Sequence, residues 1–129
     1  MLFGRNTKKG AEPLQQRVDC LIGAETTVTG DVVFSGGLRI DGKITGDVTV
    51  SDVKAGTLTL GEHGCIDGDV RVSNLVVFGK IDGSVYVTGL VELRSSARVT
   101  GDVYYGSLEM EAGSVIDGRL VKHKAAGEV

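Results

Sequence analysis

Acidic residues beside glycine are the first candidates for chemistry in this sequence. Seven of these recur in similar short stretches: Asp31, Asp47, Asp67, Asp69, Asp82, Asp102 and Asp117. Carboxylates stacked about 5 Å apart would form columns that attract calcium or magnesium. The equivalent positions elsewhere are not acidic, being Thr29, Thr45, Ser84, Thr100 and Arg119. The Gly-Gly-x-Gly-x-Asp nonapeptide of calcium-binding β-rolls does not occur, so we interpret the aspartates as a solvated face without metal ligands.

His63-Gly64-Cys65 is the second candidate, either for a metal ion or for a thiol nucleophile. The other histidine is His123, close to the end of the sequence, whereas zinc takes four protein ligands, or three and a water. We interpret His63 as a turn residue and Cys65 as a small core thiol. No Gly-x-Gly-x-x-Gly opens a helix and no P-loop motif is present, so no nucleotide is expected to bind.

Most of these residues belong to a unit in which an apolar residue, a glycine and another apolar residue follow each other at intervals of two. The six copies begin at Val28, Ile44, Ile66, Ile81, Val99 and Ile116. Their starts are 16, 22, 15, 18 and 17 residues apart, which indicates a repeat protein with a period near 18 residues.

Alternation within each unit predicts a half-buried strand. In the third copy, Ile66, Gly68 and Val70 point to one side, while Asp67 and Asp69 point to the other. Each of the first five units is followed by a second alternating apolar pair: Leu38/Ile40, Leu58/Leu60, Leu75/Val77, Val91/Leu93 and Leu108/Met110. Every repeat therefore supplies about five inward side chains on two or three short strands.

A unit of this length cannot close its own core, but it matches one coil of a parallel β-helix, in which successive coils stack about 4.8 Å apart. We predict an all-β, single-domain solenoid over residues 20–121, with the repeated glycine at an inward position that marks a corner. Residues 51–57 make the second coil the longest and are expected to bulge as a surface loop. The alternative is a set of ordinary hairpin turns in an antiparallel sandwich.

Enzymes built on β-helices need features that this sequence lacks. The left-handed acyltransferases use strict hexapeptides and a histidine between subunits, and polysaccharide lyases need clustered acids or bases in a long cleft. We predict that the protein is not an enzyme, with no catalytic residue, no cofactor and no bound metal.

Composition suits a slender solenoid in a reducing compartment. The 129 residues include 20 glycines, one proline and no tryptophan, and the formal net charge of −3 does not favour direct nucleic-acid binding. Two cysteines do not make a disulfide framework, which favours the cytoplasm. No apolar run reaches the 18 or more residues that span a bilayer, so any membrane contact is expected to be peripheral.

Both ends of the sequence lack strand alternation. We predict a flexible arm over residues 1–19 and a flexible tail over residues 122–129. The first residues of the arm combine apolar and cationic side chains that would suit an anionic membrane surface: Met1, Leu2, Phe3, Arg5, Lys8 and Lys9. The alternative is a disordered leader whose basic residues only aid solubility.

The six units over residues 20–121, with a short arm on each side, resemble the bactofilins, the small polymer-forming cytoskeletal proteins of bacteria. This resemblance implies a right-handed β-helix of about six coils around a triangular aliphatic core. It further implies nucleotide-free assembly into non-polar filaments, which bundle or form sheets. It also implies attachment to the inner face of the cytoplasmic membrane through the N-terminal tip, where Met1-Leu2-Phe3-Gly4-Arg5 is similar to the family's tip. Family members act as scaffolds for cell-wall enzymes and cell shape, or organise chromosome-segregation proteins.

The ends of such a stack would expose core side chains and unpaired backbone groups, and this sequence supplies no helix to cap them. Subunits are therefore expected to join end to end as a homopolymer. The predicted polymer contacts are Ile22, Val28, Phe34, Tyr105, Leu108, Met110, Ile116 and Leu120. Tyr105 and Ile116 are the preferred contacts at the C-terminal end. The competing hypothesis is a monomeric β-helix module that binds cations or glycan on its aspartate-rich face.

Overall fold

A computed structural model describes residues 18–51 and 56–122 of this chain. The regular secondary structure in those residues consists of strands alone, and eighteen short strands follow one another along the chain. They are β1 (Cys20–Ile22), β2 (Thr27–Thr29), β3 (Val32–Phe34), β4 (Gly36–Ile40), β5 (Lys43–Thr45), β6 (Val48–Val50), β7 (Gly56–Leu60), β8 (Cys65–Asp67), β9 (Val70–Val72), β10 (Asn74–Val77), β11 (Lys80–Asp82), β12 (Val85–Val87), β13 (Leu90–Leu93), β14 (Arg98–Thr100), β15 (Val103–Tyr105), β16 (Ser107–Met110), β17 (Val115–Asp117) and β18 (Leu120–Lys122).

The strands form three parallel sheets of six strands each, and every third strand returns to the same sheet. The first sheet begins with β1, the second with β2 and the third with β3. Three consecutive strands make one coil, so the chain completes six coils, over residues 20–34, 36–50, 56–72, 74–87, 90–105 and 107–122. The predicted β-helix of about six coils is confirmed, and the parallel pairing of all three sheets rules out the antiparallel sandwich.

Apolar residues stack on apolar residues along the inside of each sheet. Ile66 lies between Ile44 and Ile81 in the second sheet, and Val70 lies between Val48 and Val85 in the third. All six side chains are at most 1% exposed. The predicted inward face of the repeated unit is therefore confirmed, although its two halves belong to two different sheets.

The repeated glycine lies at the corner between the second and third sheets. Gly68 has a φ of +157°, and a Cβ added to it would collide with the carbonyl oxygen of Gly46 in the preceding coil. The missing side chain thus faces along the stack, not into the core as the alternation predicted. Close approach of the neighbouring backbone is the reason that glycine is needed at this corner.

Gly68→Ala is expected to destabilise the protein more than Gly30→Ala does. Both glycines have positive φ, at which alanine is strained by about 1–3 kcal/mol. A Cβ at Gly30 meets nothing within 4 Å, because the described residues contain no coil before the first one, whereas a Cβ at Gly68 strikes backbone. Thermal melts of the two variants would separate the effect of backbone strain from that of collision with the preceding coil. Equal decreases in melting temperature would show that the close contact between coils at the corner contributes nothing.

The borders of the solenoid differ slightly from the prediction. Gly56 and Thr57, assigned to a surface loop, lie in β7, and residues 52–55 are outside the described residues. Asp19, assigned to the arm, accepts a hydrogen bond from the Gly37 N–H on its Oδ2 (2.8 Å), and Lys122 ends β18. The rest of the predicted arm and tail also lies outside the described residues, apart from Val18.

Candidate polymerisation surfaces

The last coil exposes side chains at positions that are buried in the four inner coils, the second to the fifth. Leu93 and Met110 are partners in the first sheet, and their exposed fractions are 1% and 45%. Val103 and Leu120 are partners in the third sheet, and their exposed fractions are 0% and 45%. The difference arises because each inner coil is covered by the next one.

Two further residues of the last coil complete this surface. Leu108 and Ile116 are half-buried, whereas their partners Val91 and Val99 are at most 1% exposed. Both contact the core cluster. We call Leu108, Met110, Ile116 and Leu120 the C-terminal end surface.

The backbone of the last coil is open as well. The N–H of Val103 in the fifth coil donates to the carbonyl of Arg119 in the sixth (2.8 Å). The equivalent N–H in the sixth coil is that of Leu120, and the described residues contain no seventh coil to accept it. The C-terminal end surface therefore combines exposed apolar side chains with backbone hydrogen-bonding groups at the sheet edges. The strands of another chain can pair with such an edge.

Core-type side chains of the first coil are also more exposed than their partners, but less so than those of the last coil. Ile22, Val28 and Val32 are half-buried, while the residues that pair with them in the second coil are fully buried. Phe34, the last residue of β3, belongs to the core cluster and is only 8% exposed. We call Ile22, Val28, Val32 and Phe34 the N-terminal end surface.

Aspartates that follow the corner glycine join one coil to the next. Asp31 Oδ1 accepts a hydrogen bond from the N–H of Asp47 (2.9 Å), and Asp47 Oδ1 accepts one from the N–H of Asp69 (2.9 Å). The same bond recurs, at 3.0 Å, from the Ser84 N–H to Asp69 Oδ1 and from the Arg119 N–H to Asp102 Oδ1. These carboxylates therefore link neighbouring coils through hydrogen bonds at the corner. Among the described residues, no three His, Cys, Asp or Glu side chains are grouped so that they could hold a metal ion.

Asp102 makes the strongest of these corner contacts, because the Arg119 guanidinium also donates to its Oδ2 (3.0 Å). The side-chain hydrogen bond from Arg119, followed by its backbone hydrogen bond, lowers the pKa of Asp102 below its ordinary value of 3.8. A lowered pKa means that the contact stabilises the fold above the unfolded-state pKa and is lost as pH falls through the folded-state pKa. The sixth coil is thus held to the fifth at neutral pH, and the contact weakens only in strong acid.

A family model described as Bactofilin, polymer-forming cytoskeletal, matches residues 20–121 of this sequence. The chain belongs to the bactofilin family. It is similar to Bactofilin BacO of Myxococcus xanthus (strain DK1622), with 25% identity over 103 residues that cover 74% of this chain and 82% of BacO. It is also similar to Bactofilin BacP of the same organism, with 26% identity over 100 residues that cover 78% of this chain and 40% of BacP. No solved structure matches the chain.

The predicted polymer contacts of this bactofilin fall into three groups. Ile22, Val28 and Phe34 lie in the first coil. Leu108, Met110, Ile116 and Leu120 lie in the last coil. Tyr105 is in the fifth coil, where it is half-buried against the core and pairs with Lys122 of the sixth. Of the two preferred C-terminal contacts, Ile116 lies in the last coil and Tyr105 lies one coil below it.

Lys122 is an end residue that the sequence prediction missed. It occupies the position that Phe34, Val50, Val72, Val87 and Tyr105 hold in the other coils of the third sheet. Counting three strands per coil would have shown that an apolar column ends in a cation. The last coil is therefore not a simple copy of the coils below it.

His63 and Cys65 do not form a site with each other. His63 is an exposed turn residue, as predicted. Cys65 is not a core thiol, because it lies on the outer side of β8 while its neighbour Ile66 points inward. The predicted membrane contacts, residues 1–9, are outside the described residues. No helix in the described part of the chain is long and apolar enough to cross a membrane.

Proposed function

We propose that this bactofilin is a scaffold subunit that assembles end to end, without nucleotide, through its two end surfaces. The observation that carries the proposal is the exposure of core-type residues at the last coil, above all Met110 and Leu120 at 45% each. Burying such side chains against another subunit recovers about 25 cal/mol for each Å² of apolar surface. Membership of a polymer-forming family supports the same conclusion.

Each end surface is proposed to pair with its own kind about a two-fold axis. If the ends instead joined head to tail, the parallel stack would continue and Lys122 would lie on the Phe34 position of the next subunit. That arrangement would place a cation over an apolar column, at a cost in desolvation. Two-fold contacts at both ends make subunits alternate in direction, so the resulting filament has no polarity.

Sedimentation and negative-stain microscopy of the purified protein without nucleotide test this proposal. Filaments that pellet at high speed are expected. A compact monomer of 13.5 kDa would contradict end-to-end assembly and would support the alternative of a monomeric binding module.

The cellular role follows from the polymer. We propose that the filaments lie in the cytoplasm at the inner face of the cytoplasmic membrane, where they recruit cell-shape or cell-wall machinery. The support for membrane contact is the sequence at the start of the chain, where Met1, Leu2 and Phe3 stand beside Arg5, Lys8 and Lys9. Apolar insertion and attraction to anionic lipid act together in such a segment.

Deletion of residues 2–9 is expected to release the protein from anionic liposomes while filaments still form. Each cation near the surface contributes about 1 kcal/mol, and the apolar residues add to it. Co-sedimentation with liposomes measures the effect. The variants Leu2→Ser/Phe3→Ser and Arg5→Gln/Lys8→Gln/Lys9→Gln divide it into apolar and electrostatic parts, and equal binding by deleted and full-length protein would remove the membrane hypothesis.

A further inference from the structure

The outer face of the second sheet carries two columns of side chains. Each of its three-residue strands buries the middle side chain and directs the first and third outward. The first column is Thr27, Lys43, Cys65, Lys80, Arg98 and Val115. The second column is Thr29, Thr45, Asp67, Asp82, Thr100 and Asp117.

The two columns have opposite charge. Every charged residue of the first column is a cation, and every charged residue of the second is an acid, with three in each. All six side chains are exposed, and a shallow groove of about 340 Å³ is lined by both columns. We call this surface the two-column face.

Within the described part of the chain, none of these six charges makes an ion pair. The ion pairs found there involve Arg39, Arg94 and Arg119, which lie elsewhere. On the two-column face, Lys80 is directly beside Arg98 and Asp67 is directly beside Asp82. Like charges on neighbouring strands repel. An external surface of opposite charge would therefore be attracted to each column.

The third sheet differs, because three of its outward residues contact one another. The rings of Tyr86 and Tyr104 stack with centroids 4.8 Å apart and planes 7° apart, and the Arg71 guanidinium lies 4.4 Å from the Tyr86 ring centroid. Such an internally paired column gives no comparable reason for an external partner.

The relative orientation of two copies decides whether their two-column faces have complementary charge. If two copies face each other and are related by a two-fold axis parallel to the stack, the cationic column of one lies opposite the acidic column of the other. If the axis lies in the interface but across the stack, cations face cations and acids face acids. We propose that a second copy of this chain docks on the two-column face, side by side, with the two stacks running in the same direction.

A shift of one coil along the stack, about 4.8 Å, added to this 180° rotation, turns the two-fold relation into a screw relation and gives the contact its best register. Four charge pairs then lie opposite each other. In two of them Lys80 faces the second copy's Asp67 and Arg98 faces the second copy's Asp82. In the other two Asp67 faces the second copy's Lys43 and Asp117 faces the second copy's Arg98.

This inference rests on the proposed polymer. Exposed ion pairs are individually weak, so two isolated subunits would associate little. Filaments repeat the contact many times, and the repeated contacts reinforce one another because the subunits are already joined. The expected product is lateral pairing of filaments that depends strongly on salt.

Salt gives the first test, with filament width by negative-stain microscopy and pelleting at low and high speed as readouts. Raising salt from about 0.1 M to about 1 M shortens the screening length from about 10 Å to about 3 Å. Paired filaments are expected to separate into single ones that still pellet at high speed. Paired filaments that persist unchanged at high salt would overturn the inference.

Charge variants give the second test. Asp67→Lys/Asp82→Lys makes the face cationic, and Lys80→Glu/Arg98→Glu makes it acidic. Each variant alone is expected to form single filaments, and an equal mixture is expected to recover pairing. Glu62→Lys/Glu109→Lys is the matched control, because it also changes the formal net charge from −3 to +1 but leaves both columns intact, so its filaments should pair normally.

The outcomes separate this inference from the proposed function. Pairing by either single-sign variant, or no recovery in the mixture, would overturn the lateral contact while leaving end-to-end assembly in place. If the wild-type protein formed no filaments at all, that result would instead contradict the proposed function. Should a charge-reversed variant fail to fold by circular dichroism, the neutral Lys80→Gln/Arg98→Gln replaces it and is expected to reduce pairing, with normal pairing as the contradictory result.

Discussion

Leu120→Arg is expected to convert filaments into soluble dimers joined through their N-terminal end surfaces. Leu120 is 45% exposed and no described coil lies beyond it, so arginine can be accommodated in the isolated subunit. In a two-fold contact each arginine would instead enter an apolar surface close to its symmetry mate, where burial of an unpaired charge is unfavourable. Light scattering and negative-stain microscopy measure the product.

Glu109→Arg is the matched control for this experiment. It places the same side chain in the same coil, but on the outer side of β16, between Leu108 and Met110. Filaments of normal length are expected from the control. Normal filaments from a folded Leu120→Arg protein would rule out the C-terminal end surface as a contact.

Tyr105→Arg distinguishes the end surface from the layer beneath it. Tyr105 lies in the fifth coil, packs against the core and is paired with Lys122. Arginine at this position would enter the interior below the last coil, so the expected result is a lower melting temperature. Ile116, the other contact preferred from sequence, stays on the end surface.

Ile66→Asp is expected to unfold the middle of the stack. Ile66 is 0% exposed and lies between Ile44 and Ile81, so a carboxylate there has no partner and no access to water. Removing a buried isoleucine side chain costs about 2–5 kcal/mol, and burying a charged group adds to that loss. Because each coil is stabilised by its neighbours, damage in the third coil also weakens the second and the fourth.

The neighbouring Asp67→Asn is the control for Ile66→Asp. Asp67 is exposed on the outer face of β8, and within the described residues its side chain makes no ion pair. Surface substitutions of this kind change the free energy of unfolding by about 0.5 kcal/mol or less. Thermal melts followed by circular dichroism compare the two variants. A larger loss for Asp67→Asn would mean that the inward and outward faces had been exchanged.

The repeated unit was predictable because its information is local. Period-two alternation assigns Ile66 and Val70 to the inside and Asp67 to the outside without any knowledge of neighbouring coils. The same alternation places Cys65 outside, next to inward Ile66, so its interpretation as a core thiol was avoidable. The corner glycine was also found, although its reason, the approach of the Gly46 carbonyl to Gly68, depends on the adjacent coil.

The ends were harder to predict, because a coil is defined by what stacks on it. The units recur at 15 to 22 residues, so the separation of stacked partners varies along the chain. Val103 and Leu120 both lie two residues after a corner glycine, yet Val103 belongs to the fifth coil and Leu120 to the sixth. Their different exposure reflects the presence or absence of a further coil, which alternation does not encode.

The amino-acid sequence by itself determined the strand periodicity, the aliphatic inside and the corner glycines of this bactofilin, since steric and hydrophobic preferences act over a few neighbouring residues. Only the tertiary structure decided that Asp47 accepts the N–H of Asp69 and that charges of one sign align on each side of the two-column face. Those relations join residues 15 to 22 positions apart. They exist only when the coils are stacked in register.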